Sequence, residues 1–509
     1  MSRIVKKDIS EYGDFQTPST LAYEVCKLLS NIITQPNAII EPTCGVGNFL
    51  ESALNVFSDT RLAFGADINS KYIIEAKKRF GYKYLDVKLK TGDFFSINWK
   101  QILNDFPDPI LVIGNPPWVT NSHLSKLGSN NLPEKTNGNC LSGFEAISGK
   151  SNFDISEWMI THLIELLSGR KAVLAMLCKT SVARKVLENA WRSQFQLQSA
   201  RMYLIDAQES FNASVDACLL VCNLEPGRIC DKCEIFPNLF TNIITQTIGY
   251  RDGRLVSDLN KYLQWKNLSG PELHRWRSGI KHDCSAVMEV TKTSNGYING
   301  INENVDIEDD YLFPLFKGSD IANGRIHNPT RYMLVTQKKI GENTRIIRNL
   351  APKTWDYLES HASLLDNRRS NIYKRQPRFA IFGVGEYTFA PWKVAISGMY
   401  KQITFRTVPP FDNKPSVFDD TCCFLSCESE EEANYLNSLL NSEPANEFYS
   451  SLLFTDSKRP FTIDLLRRLD LMAVSSALGS DRYFSMFLNN QKNKKNYIKE
   501  QIRMQPTLF

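Results

Sequence analysis

Short apolar runs separated by stretches of helical period set the character of the first half of the chain. Ala38-Ile39-Ile40, Leu62 to Asp67, Ile110-Leu111-Val112-Ile113, Ala172 to Leu177, Met202-Tyr203-Leu204-Ile205 and Ala217 to Cys222 predict strands. Phe153 to Leu167 and Val182 to Ala190 predict helices between them. A further helix, with Leu21, Val25, Leu28 and Ile32 on one stripe, opens at Thr17-Pro18, where Thr17 suits the N-cap and Pro18 the first helical position. Strands alternating with helices argue for an α/β fold with a doubly wound, parallel sheet over roughly residues 1–240.

Beyond residue 240 that alternation stops. Gly, Pro, aromatic and basic residues are interspersed with short strand-like runs, so residues 241–509 are expected to form a second, mixed and mostly β domain. A chain of 509 residues exceeds what a single core supports, which agrees with two domains or three. Residues 120–151 are polar and without period, an expected loop long enough to be functional. The end, Asn489 to Phe509, reads as a partly exposed helix.

Composition changes this picture little: 42% hydrophobic and 23% charged residues describe an ordinary globular chain. No apolar run approaches the roughly 20 residues of a membrane helix, and Met1 to Lys7 contains no apolar signal core, so a cytoplasmic protein with no membrane partner is expected. The twelve cysteines then read as reduced thiols. Cys218, Cys222, Cys230 and Cys233 are close enough in sequence to suggest a metal site, but the first two lie in a strand pattern, and no metal is expected. Charge is more informative locally. Between Arg331 and Arg378 there are eleven Lys/Arg against four acids, a net of +7 where the whole chain carries +5. Such a stripe suits a polyanion, the alternative being a basic solvated face.

The candidate chemistry lies at the strand ends. Glu41-Pro42-Thr43-Cys44-Gly45-Val46-Gly47-Asn48-Phe49-Leu50 follows the first strand, and two glycines two apart let the backbone turn sharply beside a ligand. The third glycine of a dinucleotide fingerprint is missing, and no Gly-Lys-Ser/Thr of a phosphate loop follows. Asp67, 20 residues beyond Gly47, ends the second strand, and Asp93 falls where the third should end. Carboxylates at successive strand ends suit a ligand with an amine, a ribose diol and an adenine amino group. The run at 110–113 ends in Gly114-Asn115-Pro116-Pro117-Trp118. Two prolines pin their carbonyls, so Asn115 presents an amide oxygen beside a fixed carbonyl, a geometry that accepts both hydrogens of one amine.

The ordered set Phe15-Gln16-Thr17-Pro18, Glu41 to Leu50, Asp67, Asp93 and Asn115-Pro116-Pro117-Trp118 resembles the gamma-class S-adenosylmethionine-dependent adenine-N6 DNA methyltransferases of type II restriction–modification systems. Trp118 stands where many members carry Tyr or Phe. The resemblance implies a catalytic domain over 1–240 and a Taq-like target-recognition domain over 241–509. It implies that Asn115, Pro116 and Trp118 are catalytic and that Trp118 and Phe211 pack against an extruded base. Thr17, Glu41, Thr43, Cys44, Gly45, Gly47, Asp67, Ile68, Asp93 and Asn115 would hold S-adenosyl-L-methionine. The segments Gly296 to Asn302 and Phe382 to Ala395 are similar to stretches of the recognition domains of this class, and Arg368, Arg369, Lys374 and Arg375 are the expected DNA contacts.

The expected substrate is double-stranded DNA, flipped open at one adenine, and the expected state a monomer. Only about 14 residues precede the first motif, too few for a fused nuclease, so a separate cognate endonuclease is the expected genetic partner. The rivals are an RNA base-amino methyltransferase, a protein glutamine N-methyltransferase, and a DNA-binding specificity subunit without activity. A glutamine methyltransferase has no use for a large basic second domain, and the intact Asn115, Gly45, Gly47 and Asp67 speak against an inactive subunit.

Overall fold

The computed structural model describes residues 16–81, 86–119, 154–454, 456 and 458–480. The N-terminal arm with Phe15, the expected 120–151 loop and the expected terminal helix lie outside them. The chain divides into two compact units, Met1–Leu259 and Asn260–Phe509, so the division falls after residue 259 and not at 240.

The first unit is built on a ten-stranded sheet. Its elements in chain order are α1 (Ser19–Ser30), β1 (Ala38–Glu41), α2 (Asn48–Val56), β2 (Leu62–Asp67), α3 (Ser70–Phe80), β3 (Val87–Thr91), α4 (Trp99–Asn104) and β4 (Ile110–Gly114). There follow α5 (Ile155–Leu167), β5 (Ala172–Lys179), α6 (Thr180–Arg192), β6 (Leu197–Ile205), α7 (Ala207–Phe211), β7 (Ala217–Leu224), β8 (Lys232–Phe236), β9 (Gln246–Arg251) and β10 (Arg254–Val256). The spatial order is β10-β9-β8-β6-β7-β5-β4-β1-β2-β3. Strands β3, β2, β1, β4 and β5 are parallel throughout; β2, β1, β4 and β5 coincide with predicted apolar runs, whereas β3 alternates with lysines and is no such run. Every residue of β1 and of β4 is buried, because helices cover both faces of the sheet there. The sequence order reverses between β1 and β4, which puts the crevice of an open α/β sheet at the carboxyl ends of these two strands.

A sheet that is parallel throughout is not what the first unit contains. β7 inserts antiparallel between β5 and β6, and β9 and β10 are antiparallel as well. The reason is the β6–β7 connection: only the five-residue α7 and a short turn separate the strands, too little for a parallel crossover. The first helix also differs from its expected form. Pro18 occupies the N-cap and no side chain caps α1, so Thr17 is free of that task. The buried stripe runs through Leu21, Ala22, Val25, Cys26 and Leu29, with Leu28 at its flank.

The second unit is mixed, as expected, but not mostly β: helices such as Pro352–Ser360, Glu430–Leu440 and Glu443–Leu452 hold more of its described residues than the strands do. One four-stranded sheet orders β11 (Arg277–Ser278), β20 (Cys422–Cys427), β17 (Trp392–Ser397) and β18 (Arg406–Val408). A six-stranded sheet orders β14 (Asn304–Val305), β13 (Gly296–Asn299), β12 (Glu289–Thr293), β16 (Arg331–Leu334), β15 (Leu312–Phe316) and β19 (Val417–Phe418). All pairings within these two sheets are antiparallel except β15–β19. Gly296 to Asn302 is the β13 hairpin arm and its turn, held by Asn299, whose Oδ1 accepts from the amides of Ile301 and Glu303.

Candidate active site

A cavity of about 420 Å³ opens at the switch point of the first unit. Glu41 ends β1, and its side chain is almost wholly buried, with Oε2 accepting from the Leu50 amide at 3.0 Å. Leu50 stands three residues past the N-cap Gly47, so this carboxylate satisfies one of the donors that the start of α2 leaves unpaired. Burial above all, with the nearby Asp67 adding to it, pushes the Glu41 carboxyl well above the usual range.

The glycine turn is held by the next strand. Asp67 Oδ2 accepts from Gly45 N at 2.8 Å and Oδ1 from Asn69 N at 2.8 Å. A carboxylate oxygen offers two lone pairs, the acceptor chemistry that a diol needs. Gly45 has φ +51°, the left-handed region that favours glycine; a Cβ there would lie 2.5 Å from the Gln16 carboxamide, the movable end of an exposed side chain, so conformation and not space is what calls for glycine. Gly47 is explained differently. Its φ is +86° and a Cβ would meet the Phe80 ring at 2.5 Å, so this glycine seats α2 against α3 and is not among the cavity-lining residues.

Asn115 follows β4 directly. Its Nδ2 donates to Thr17 Oγ1 at 3.3 Å, and Thr43 Oγ1 donates to its backbone carbonyl at 3.4 Å. Thr17, which the sequence suggested as a helix cap, is therefore the partner of the Asn115 amide, while its own carbonyl accepts from Asn48 Nδ2 at 2.7 Å. Engaging the amide nitrogen sets Oδ1 as the acceptor end of the group.

The structure brings nine of the ten expected cofactor residues to one cavity wall: Thr17, Glu41, Thr43, Cys44, Gly45, Asp67, Ile68, Asp93 and Asn115. Burial, then the Glu41 and Asp67 carboxylates, push the Cys44 thiol well up, so it is a neutral wall group and no nucleophile. Asp93 Oδ1 accepts from Phe95 N at 3.1 Å. Residues given no cofactor role from the sequence also line it: Gln16, Phe94, Phe95, Tyr72 and Met159. The aromatic pair directly after Asp93 was the signal for two of them. Carboxylates for an amine and a diol, apolar and aromatic walls for a flat ring, and a glycine turn without a Cβ form a donor set that fits S-adenosylmethionine.

Trp118 and Phe211 meet in one hydrophobic cluster, both buried, and Trp118 Nε1 donates to Leu177 O at 3.4 Å. Pro117 lines the cavity; Pro116 is buried beside it. No group of three or more His, Cys, Asp or Glu that could hold a metal occurs among the described residues, and Cys218, Cys222 and Cys233 are buried in strands. No described helix is long and apolar enough to cross a membrane.

In the second unit the expected basic stripe separates into two kinds of side chain. Arg331 pairs with Asp320, Lys353 with Asp306, and Arg378 with Glu359 and Asp366. Arg368 is committed to the fold, contrary to its expected place among the DNA contacts. It donates to the carbonyls of Leu365, His282 and Ala380 at 2.7, 3.1 and 2.8 Å and lies 3.7 Å from the centre of the Tyr373 ring. Arg369, Lys374 and Arg375 are exposed and have no acid partner among the described residues.

No protein-family model matches the chain. Relatives are informative. The chain is 47% identical over 476 residues, 93% of its own length and 99% of the relative's, to the type II methyltransferase M.NspV of Nostoc sp.. It is 30% identical over 118 residues, 23% of the chain and 27% of the relative, to the type II methyltransferase M.CvrRI of Paramecium bursaria Chlorella virus XZ-6E. Among solved structures, the type IIL restriction-modification enzyme MmeI in complex with DNA aligns with 94% of the chain and 73% of its own, at a TM-score of 0.45 and 12% identity. A class I S-adenosylmethionine-dependent methyltransferase fold from Listeria monocytogenes aligns with 45% of the chain and 68% of its own, at a TM-score of 0.31 and 16% identity. With an identity of 47% sustained over nearly the whole of both sequences, the chain belongs to the type II methyltransferases, DNA methyltransferases whose methyl donor is S-adenosyl-L-methionine.

Proposed function

We propose that the enzyme methylates N6 of adenine at a specific site in double-stranded DNA, as the modification partner of a separate restriction endonuclease. The observation that carries this reading is Asn115: an amide oriented by Thr17, at the end of β4, on the wall of the cavity that also holds Glu41 and Asp67. An amine conjugated to a heteroaromatic ring is a poor nucleophile because its lone pair is delocalised. Asn115 Oδ1 and the Pro116 carbonyl accept its two hydrogens, which turns the nitrogen towards sp3 and restores the lone pair. Preorganised acceptors of this kind need no reorganisation as the charge develops.

Glu41, Asp67 and Asp93 would hold S-adenosylmethionine by its amine, ribose and adenine, and when bound it supplies a methyl on a sulfonium, already a strong electrophile. The rest is positioning. A stacked duplex hides the adenine amine, so the base is flipped at a cost of a few kcal/mol. Stacking on Trp118, worth about 1–3 kcal/mol, offsets part of that. Phe211 packs against the same base, and Arg369, Lys374 and Arg375 supply phosphate or base contacts from the recognition unit.

The test is to digest DNA from cells expressing the chain to nucleosides and separate these by mass spectrometry. N6-methyladenine above the background of an Asn115→Ala control is expected. Methylation found only as N4-methylcytosine, or only in RNA or protein, overturns the reading.

A further inference from the structure

The prolines that make the catalytic lip rigid also deprive it of donors. Pro116 and Pro117 have no N–H, so neither can anchor the lip by donating a backbone hydrogen bond. At its front the two threonine contacts are long: Thr43 Oγ1 to the Asn115 carbonyl at 3.4 Å, Asn115 Nδ2 to Thr17 at 3.3 Å. At its rear, Lys179 Nζ donates to the Trp118 carbonyl at 3.1 Å and to Asp154 Oδ2 at 2.7 Å. The next carbonyl, of Val119, accepts from Ile155 N at 3.0 Å.

Both members of the Lys179–Asp154 pair are anchored in rigid elements. Lys179 is the last residue of β5, three positions beyond Met176, which pairs in register with Gly114. Asp154 is the N-cap of α5, its Oδ1 accepting from Ser156 N at 3.1 Å, and its side chain is only 7% exposed. A charge this deep is retained where its removal leaves the partner unpaired. Neither residue lines the cavity.

We infer that Lys179 and Asp154 are positioning residues that fix the rear of the Asn115–Trp118 lip and set the turnover number without holding the cofactor. The inference rests on the proposed role of Asn115. Charge-assisted hydrogen bonds are shorter and stronger than neutral ones, so this pair, and not the threonine hydroxyls, decides where the Trp118 carbonyl and hence the lip comes to rest.

Three variants of the full chain test it. Lys179→Met keeps the stem and removes the donor; Asp154→Asn keeps the helix cap and removes the charge; Lys179→Arg restores a cation. Turnover is measured as labelled methyl incorporated into any DNA that the wild type modifies, whichever base accepts it. Lys179→Met is expected to lower kcat at least tenfold, Asp154→Asn several-fold, and Lys179→Arg to retain a third or more, with the Kd for S-adenosylmethionine within twofold throughout.

A second readout is independent of catalysis. The Trp118 share of fluorescence, taken as the difference from a Trp118→Phe background, should become more open to acrylamide quenching in Lys179→Met. Folded Lys179→Met and Asp154→Asn with kcat within twofold of wild type and unchanged quenching overturn the clamp. So does a parallel loss of cofactor affinity and melting temperature with no change in kcat of the folded fraction. A wild-type chain that modifies no DNA defeats the functional reading, and the quenching result then decides the clamp on its own.

Discussion

Trp118 and Phe211 stand edge to face with ring centroids 5.2 Å apart and an interplanar angle of 70°. Ninety-three residues separate them in sequence, and α7 closes the distance by delivering Phe211 from the carboxyl end of β6. A flat base stacked between two rings needs centroids about 7 Å apart, at the upper limit of direct aromatic contact. The pair therefore has to part, or Trp118 has to offer its outer face, before a base is held. Phe211→Ala removes a buried ring of the common core and is expected to cost about 3–5 kcal/mol of stability as well as turnover. Trp118→Phe keeps a stacking surface and should retain far more turnover than Trp118→Ala. Chemical denaturation and methyl incorporation on the same preparations check both; equal losses for the two Trp118 variants would remove the stacking role.

Asp67 serves the turn and, on the proposed reading, the ribose. Asp67→Ala should raise the Kd for S-adenosylmethionine by roughly tenfold to a hundredfold, about 1.5–3 kcal/mol for a charge-assisted hydrogen bond. Asp67→Asn retains one acceptor for the amide of Gly45 or Asn69 and should fall between the two. Titration calorimetry measures it, and an unchanged Kd in Asp67→Ala would confine this carboxylate to its contacts within the fold, the Gly45 and Asn69 amides among them.

Glu41 predicts a pH dependence. Its carboxyl is raised in the folded state by burial first and by Asp67 second. A raised pKa means that the stability it contributes is fully present below the unfolded value, about 4.3, and is lost as pH rises through the folded value. Glu41→Gln cannot ionise, so its melting temperature should gain on wild type as pH is raised from 5 to 8, measured without cofactor. The same variant should bind S-adenosylmethionine more weakly, since the amine loses its counter-charge. A melting difference that is flat with pH would show Glu41 titrating normally.

Arg368 and its neighbour separate fold from binding. Arg368→Ala strands three carbonyls and the Tyr373 ring, so it should lower the melting temperature of the protein. The triple change of Arg369, Lys374 and Arg375 to Ala should leave melting nearly unchanged and reduce the slope of log affinity against log salt by up to about 2.7, at about 0.9 per lost phosphate contact. Salt titrations on cognate and scrambled duplexes check it. A loss confined to the cognate duplex would mark base reading, and no change on either would place these three side chains outside the DNA interface.

The local signals determined by the sequence were those that depend on a few adjacent residues. Buried parallel strands announce themselves as apolar runs, and β1, β2 and β4 lie where Ala38-Ile39-Ile40, Leu62 to Asp67 and Ile110 to Ile113 put them. The carboxylates at their ends and the proline-locked lip were legible for the same reason, since strand ends of an open sheet converge on one edge. What tertiary structure alone decided concerns partners distant in the chain. Gly47 looks like a ligand-approach glycine until the Phe80 ring is seen where its Cβ would be. Thr17 looks like a cap until Asn115, 98 residues away, takes its hydroxyl. Arg368 looks like its neighbour Arg369 until three carbonyls close around it, and Lys179 carries no local sign of its bond to the Trp118 carbonyl. A residue's type states which bonds it is able to make, but folding chooses among them by burial: a charge or donor that loses water must find a partner within hydrogen-bond reach, and which group is within reach is a property of the packed chain.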